Sequence, residues 1–320
     1  AYLALAGNPS APLDPTQRRL IEHALRDFRL AGVGLEPHDK ARYKAVMQEL
    51  ATLQARFEEN VLDCMNGWSR SYAAIEDLSG LPPHVIDRAR ADAAARGVPG
   101  WVLTLDQPTH AAVIAHADSE SVRREFYEAW QTRAAPGRQH DARWDNGELI
   151  ESIVRLRHEA ARLIGYENYA ALSLATKMAK SIGEVLGFLG ELADLCVPVA
   201  RREIAELAEF AGRPLNAWDI PYYSERLQQQ RLHIAEEELR PYFPLPRVLE
   251  GLFRVAERLY GIRIRARAGV SVWHPDARYF DVFNAAEHVV GGFYLDACAR
   301  ASKRNGAWMD ECIGHTQIGG

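Results

Sequence analysis

The chain has 320 residues, 48% of them hydrophobic and 25% charged, with a formal net charge of -5. That is the balance of a soluble globular protein large enough for one big domain or two ordinary ones. It excludes a strongly basic nucleic-acid binder: Arg201-Arg202 and the Arg263–Arg267 run are short, mixed with apolar residues, and read as solvated faces or a strand edge.

The apolar runs are too short to span a bilayer, so no membrane association is expected. Cys64, Cys196, Cys298 and Cys312 form no CxxC pair, which argues against a disulfide framework or zinc knuckle and for reduced thiols in a cytoplasmic setting.

Taken in chain order, the pattern is mostly helical. Asp14-Pro15 supplies an N-cap and a proline at the first helical position, and Gly32 closes that helix. A long helix follows from about residue 38 to 66. Residues 68–78 alternate enough to predict a short strand. Pro82-Pro83 opens a helix ending near Gly97, and Trp101 to Leu105 reads as a second short strand. Helices are predicted at about 108–116, 119–134, 146–164, 182–211, 224–239 and 246–260, separated by Gly, Pro and Asn. From about Ile262 the period changes from 3.6 to 2. IRIRA, VSVW, YFDVF and VVGGFYLDA are β-type runs, with NAAEH as the turn between the last two. Gly291-Gly292 inside a strand predicts a bulge or a close backbone approach. No repeat of fixed period is present, which argues against a solenoid. The fold class expected is mainly α. Residues 1–261 form a helical region with two short strands, and 262–320 begin a small mixed α+β region with a β-hairpin.

The stretch RHEAARL, residues 157–163, comes near a metallopeptidase zinc helix. Such a helix needs HExxH, with two histidines at i and i+4 on one face and a glutamate to activate the bound water. His158 and Glu159 are present, but Arg162 occupies the second ligand position and a permanent cation repels a metal. The apolar stripe of the helix is Leu149, Ile153, Leu156, Ala160 and Leu163, which puts His158 with Glu151, Arg155 and Arg162 on a solvated face. This helix is expected to be scaffold. His110, His116, His274 and His288 lack partners at ligand spacing, and the chain has no GxSxG elbow, Walker loop or GxGxxG. No catalytic or metal-ligating residue is assigned.

Six blocks carry a resemblance: NYAALSLATKMA (168–179), AWDIPYYSERL (217–227), LRPYFPLPRVLEGLF (239–253), RLYGI (258–262), GGFYLDACAR (291–300) and KRNGAWMDE (303–311). Together and in this order they resemble the thimet oligopeptidase family of zinc metallopeptidases, its bacterial members above all. Locally the blocks also serve as structure. Asp219 is placed to cap a helix opened by Pro221, and Pro246 starts the next one. The resemblance implies a mostly helical fold split by a deep channel, Zn2+ as cofactor in the full-length family, and short peptides as substrates. It places the HExxH helix, a third glutamate ligand and the late Tyr and His residues beyond the GAWM segment. The 320 residues are therefore expected to be the amino-terminal and middle part of such an enzyme, clipped at its start as well. Alone they are expected to hold no catalytic zinc, to be inactive, and to self-associate through unpaired strand edges. Candidate substrate contacts are Tyr222, Tyr223 and Tyr294. The alternative reading is a non-catalytic helical protein that binds peptides or partners and keeps only this scaffold.

Overall fold

The computed structural model describes residues 2–7, 13–137, 140–233, 236–298, 300 and 303. In chain order the elements are α1 (Tyr2–Ala6), α2 (Pro15–Leu30), α3 (Pro37–Gly67), β1 (Ser69–Tyr72), α4 (Pro83–Ala95), β2 (Trp101–Thr104), α5 (Gln107–His116), α6 (Glu120–Gln131), α7 (Gly147–Leu163), α8 (Tyr169–Leu174), α9 (Ile182–Ala211), α10 (Ile220–Leu232), α11 (Glu236–Leu239), α12 (Leu245–Tyr260), β3 (Arg263–Ala266), β4 (Arg278–Phe283) and β5 (Val289–Leu295). The fold is mainly α with small antiparallel sheets, as the periodicity predicts. The chain forms two compact units that alternate along the sequence: Ala1–Trp68 with Tyr127–Leu215, and Ser69–Phe126 with Asn216–Gly320. Helix α6 runs from one into the other.

In the first unit, Asp14 and Gln17 form a reciprocal capping box at the start of α2, and Gly32 follows its last turn at φ +74°. Tyr43, Val46 and Leu50 make a stripe on α3. They pack against Ile153, Leu156 and Ala160 of α7 and against Ile164. The predicted stripe of α7 is thus its buried face, while Glu151, Arg155, His158 and Arg162 are exposed. A buried amide pair joins the same helices near their other ends. Asn60 Nδ2 donates to Asn146 Oδ1 at 2.8 Å, and Asn146 Nδ2 donates to the Phe57 carbonyl at 3.1 Å.

In the second unit, β1 and β2 pair antiparallel from Ser69↔Thr104 to Tyr72↔Trp101, and α4 and α5 lie against β2. The predicted 68–78 strand is shorter than expected. It ends at Tyr72, where the four-residue partner runs out, and Ile75–Leu78 forms a 3-10 turn. The three-stranded antiparallel sheet has the order β3-β4-β5. VSVW, residues 270–273, is not a strand: it lies in the β3–β4 connection and pairs with none of the described strands. At the NAAEH turn, Asn284 Oδ1 accepts from the backbone N–H groups of Ala286 and His288.

Both expectations for the glycine pair hold. The register shifts at Val282/Phe283, with Gly291 opposite Val282 and Val289 opposite Phe283. Gly292 lies under the Tyr279 ring, where an added Cβ would come within 2.1 Å of the phenol oxygen. Phe280 and Phe293 stack on one face of this sheet and meet Phe253 of α12 with ring centroids at 5.0 and 6.1 Å.

Two helix boundaries differ from expectation. The 224–239 segment is two pieces, α10 and α11, because His233 takes a left-handed conformation (φ 52°) without any glycine to signal the stop. The 119–134 helix ends at Gln131, three residues before Ala134 at φ 50°. Helix α8, capped by Asn168 Oδ1 on the Ala171 N–H, was too short for its period to register.

Candidate functional site

Helix α7 carries RHEAARL and buries its apolar stripe against α3. Glu159 accepts from Arg42 of α3 through both carboxylate oxygens, at 2.5 and 2.8 Å, and this contact holds its pKa below the usual range. His158 stands exposed beside it, and Arg162 is exposed as well. A carboxylate engaged by a guanidinium, with a cation at i+4 of the histidine, does not fit a zinc ion. Among the described residues, no group of three or more His, Cys, Asp and Glu side chains is arranged to hold a metal.

The tyrosines of AWDIPYYSERL join a polar cluster that the sequence did not reveal. Asp219 stands at the N-cap position of α10, but its side chain caps nothing in that helix. Instead Asp219 Oδ1 accepts from Arg123 Nη2 at 2.8 Å, and Oδ2 accepts from the Asn216 N–H at 3.1 Å. Both charged side chains are buried, Arg123 at 2% and Asp219 at 0% exposure. Arg123 Nη1 also donates to the carbonyls of Ala117 and Asp118. Its guanidinium lies 4.2 Å from the centre of the Tyr222 ring, a cation–π contact.

Above this pair, Asp118 accepts from Ser79 Oγ at 2.8 Å, from Tyr222 Oη at 2.9 Å and from Arg226 at 2.7 Å. These bonds, that from Ser79 foremost, hold the Asp118 carboxyl below the usual range. Burial and donation to Asp118 push the Tyr222 phenol up. Gly80 lets the 79–81 loop close on this corner: at φ +85° its absent Cβ would lie 2.2 Å from the His116 carbonyl oxygen. Tyr223 packs edge-on against Tyr222 with ring centroids at 5.2 Å. The one sequence signal for the cluster was an aspartate among Trp218, Ile220 and two tyrosines, which propensity alone reads as a cap.

Tyr294 sits apart from these, on β5 and on the sheet face opposite Phe293. Its ring lies 4.8 Å from Tyr279 and 5.1 Å from Trp273, centre to centre, and both Tyr294 and Trp273 are exposed. Asp296 binds the edge of this aromatic shelf by accepting from Trp273 Nε1 at 2.9 Å and from Arg300. The structure therefore brings Tyr222 and Tyr223 together and shows Tyr294 as part of a separate surface. Within KRNGAWMDE only Lys303 is among the described residues, and Cys312 lies outside them.

Comparison with known proteins gives these observations a family. Oligopeptidase A of Escherichia coli (strain K12) is 42% identical over 313 residues, which cover 96% of this chain and 46% of that protein. Oligopeptidase A of Haemophilus influenzae is 41% identical over 320 residues, 98% of this chain and 47% of its own length. A dipeptidyl carboxypeptidase of Salmonella typhimurium is 33% identical over 315 residues, 95% of this chain and 45% of that one. The chain thus spans just under half the length of the curated relatives it matches. Residues 113–318, well over half of the chain, match the family described as Peptidase family M3, and the chain belongs to that family.

Proposed function

We propose that these residues are the helical part of a zinc metallo-oligopeptidase similar to oligopeptidase A, which hydrolyses short peptides in the cytoplasm. The observation that carries this reading is the 42% identity to oligopeptidase A across nearly the whole chain. On this reading, residues 1–261 supply the helical wall and residues 262–320 begin the mixed region. On the same reading, the zinc ligands are supplied by a part of the enzyme outside the described residues. The cytoplasmic setting is supported by Cys64, buried and unpaired, and by Cys196, exposed as a free thiol.

Tyr294 contacts peptide through its open ring beside Trp273, with the outer edge of β5 offering backbone groups to an extended strand. Tyr222 and Tyr223 contribute through their ring edges, because the Tyr222 hydroxyl is engaged by Asp118. Metal analysis and hydrolysis of an internally quenched peptide test the reading. They are run on residues 1–320 and on the whole product of the reading frame that encodes them. The expected result is stoichiometric zinc and chelator-sensitive cleavage for the whole product and neither for residues 1–320. Chelator-sensitive cleavage by residues 1–320 would sink the reading, as would a zinc-free, inactive whole product.

A further inference from the structure

The three-stranded sheet has two faces of different character. One carries Phe280 and Phe293 against Phe253 of α12. The register assigns the other, because directly paired residues on neighbouring strands point the same way. Arg263 pairs with Phe283 and Arg265 with Asp281, and the Arg267 N–H donates to the Tyr279 carbonyl at 2.9 Å. Tyr279 pairs in turn with Tyr294. The three arginines therefore line one border of the same face that carries Tyr294 and its neighbour Trp273 at the other.

Alternation from Arg263 to Arg267 brings three guanidiniums into one row, with side chains 61%, 52% and 58% exposed. Glu287 engages Arg263 and stands 2.9 Å from Arg265 Nη1, and Asp281 accepts from Arg267 at a long 3.4 Å. The Asp281 side chain is sunk into the sheet at 12% exposure, which leaves Glu287 as the exposed carboxylate among the three cations. The Arg265 guanidinium lies 4.9 Å from the centre of the Phe283 ring, a cation–π contact that holds it low over the sheet while its outer N–H groups stay open to a ligand.

Arg267, Tyr279 and Tyr294 form one row across the strands, β3 and β5 being the outer two. At about 4.8 Å per strand, Tyr294 and Arg267 are separated by about 10 Å, the length of about three residues of extended chain. That spacing fits a peptide with an aromatic side chain and, three residues on, a carboxylate. A single-stranded nucleic acid also suits aromatics beside arginines. Its charge recurs at every nucleotide, however, so it meets Glu287 as well, and the net charge of -5 repels it. We propose that the outer face of the β3–β4–β5 sheet selects acidic peptides: Trp273 and Tyr294 seat an aromatic residue, and Arg267, with Arg265 and Arg263 beside it, takes an aspartate or glutamate about three residues away. The inference deepens the oligopeptidase reading above and rests on it for the peptide, but its test reads binding and not hydrolysis.

The whole product of the reading frame is treated with a chelator, so that it does not cut the probe, and titrated into two dye-labelled peptides. Each carries a phenylalanine followed three positions later by glutamate in one and glutamine in the other. Fluorescence anisotropy should show the glutamate peptide bound about two- to fivefold more tightly, the scale of an exposed ion pair. The difference should shrink at high salt. Arg265→Gln/Arg267→Gln should abolish the preference. Glu287→Gln removes the competing carboxylate and should widen the preference at least about twofold, a gain that a misfolded variant does not give. Absence of binding or equal affinity for the two peptides overturns the inference. So does a preference that survives Arg265→Gln/Arg267→Gln, or one that Glu287→Gln leaves unchanged. Binding of a single-stranded oligodeoxynucleotide, with the two peptides bound equally, assigns the face to another ligand and also overturns it. A glutamate preference in a whole product that cleaves neither peptide when loaded with zinc leaves the inference standing and counts against the activity. Cleavage of both peptides with equal affinity does the reverse.

Discussion

Substituting Asp219 by alanine leaves the Arg123 guanidinium with its positive charge in a site where only 2% of the side chain reaches solvent. The two groups meet at 2.8 Å. Taking the charge centres about 4 Å apart and an effective dielectric constant of about 20, their attraction is about 4 kcal/mol. Arg123 keeps its bonds to the Ala117 and Asp118 carbonyls, so the loss is not the whole solvation of the ion. The expected destabilisation is about 3–5 kcal/mol, the range for breaking one side of a buried pair. For a folding unit of this size that lowers Tm by roughly 2–4 °C per kcal/mol, or about 6–20 °C in all. Urea denaturation followed by circular dichroism reads it. Arg123→Met combined with Asp219→Leu removes both charges, and it should be less destabilised than Asp219→Leu alone by at least about 1 kcal/mol, since neither ion is then stranded. A single-variant loss under about 1 kcal/mol, or a double variant no better than the single one, refutes the argument that this pair is a committed, desolvated contact.

Because Asp118 titrates below its usual range in the folded chain, it contributes stability above its unfolded pKa near 4. That contribution should fade as pH falls through the lower folded value. Asp118→Asn should accordingly lower the urea midpoint at pH 7 and converge on the parent as pH falls below about 4, with a modest effect because the side chain is 41% exposed. Gly292→Ala should cost about 1–3 kcal/mol, since the new Cβ collides with the Tyr279 phenol and approaches the Phe280 carbonyl to 3.1 Å. A Tyr279→Ala background should shrink that penalty in the same denaturation assay. Arg162→His should leave zinc content by elemental analysis unchanged from the parent: Glu159 stays engaged by Arg42, and among the described residues no cluster supplies a third ligand.

Elements whose start or stop is set by a local residue could be read directly from the sequence. Asp14-Pro15, Pro83 and the Asn284 turn each fix a few backbone groups by their own side chains or rings, and the structure has them where the pattern put them. The buried face of α7 was equally legible, because a stripe every three to four residues has a single way to face a partner. Asp219 shows where local reading stops. Its own helix offered free N–H groups, yet a buried cation 96 positions earlier in the chain was the stronger partner for the carboxylate. The Ser79, Asp118, Tyr222 and Arg226 cluster was invisible for the same reason, since its members come from three separated segments. VSVW failed differently: alternation makes a strand possible, but a ladder needs a neighbouring strand with free edge groups.

The alternation of the two units along the chain also sets an order of events during synthesis. The apolar stripe of α3, Tyr43, Val46 and Leu50, emerges from the ribosome long before α7, which begins at Gly147. At about 5–20 residues per second, translating the intervening stretch of about 80 residues takes roughly 4–16 seconds. Throughout that interval the α3 stripe has no native partner, and the β1–β2 segment that closes the gap belongs to the other unit. The nascent chain therefore carries an open hydrophobic surface for seconds, which makes it a client for holding chaperones and gives substitutions in the 69–126 insertion a route to alter yield without touching the finished fold.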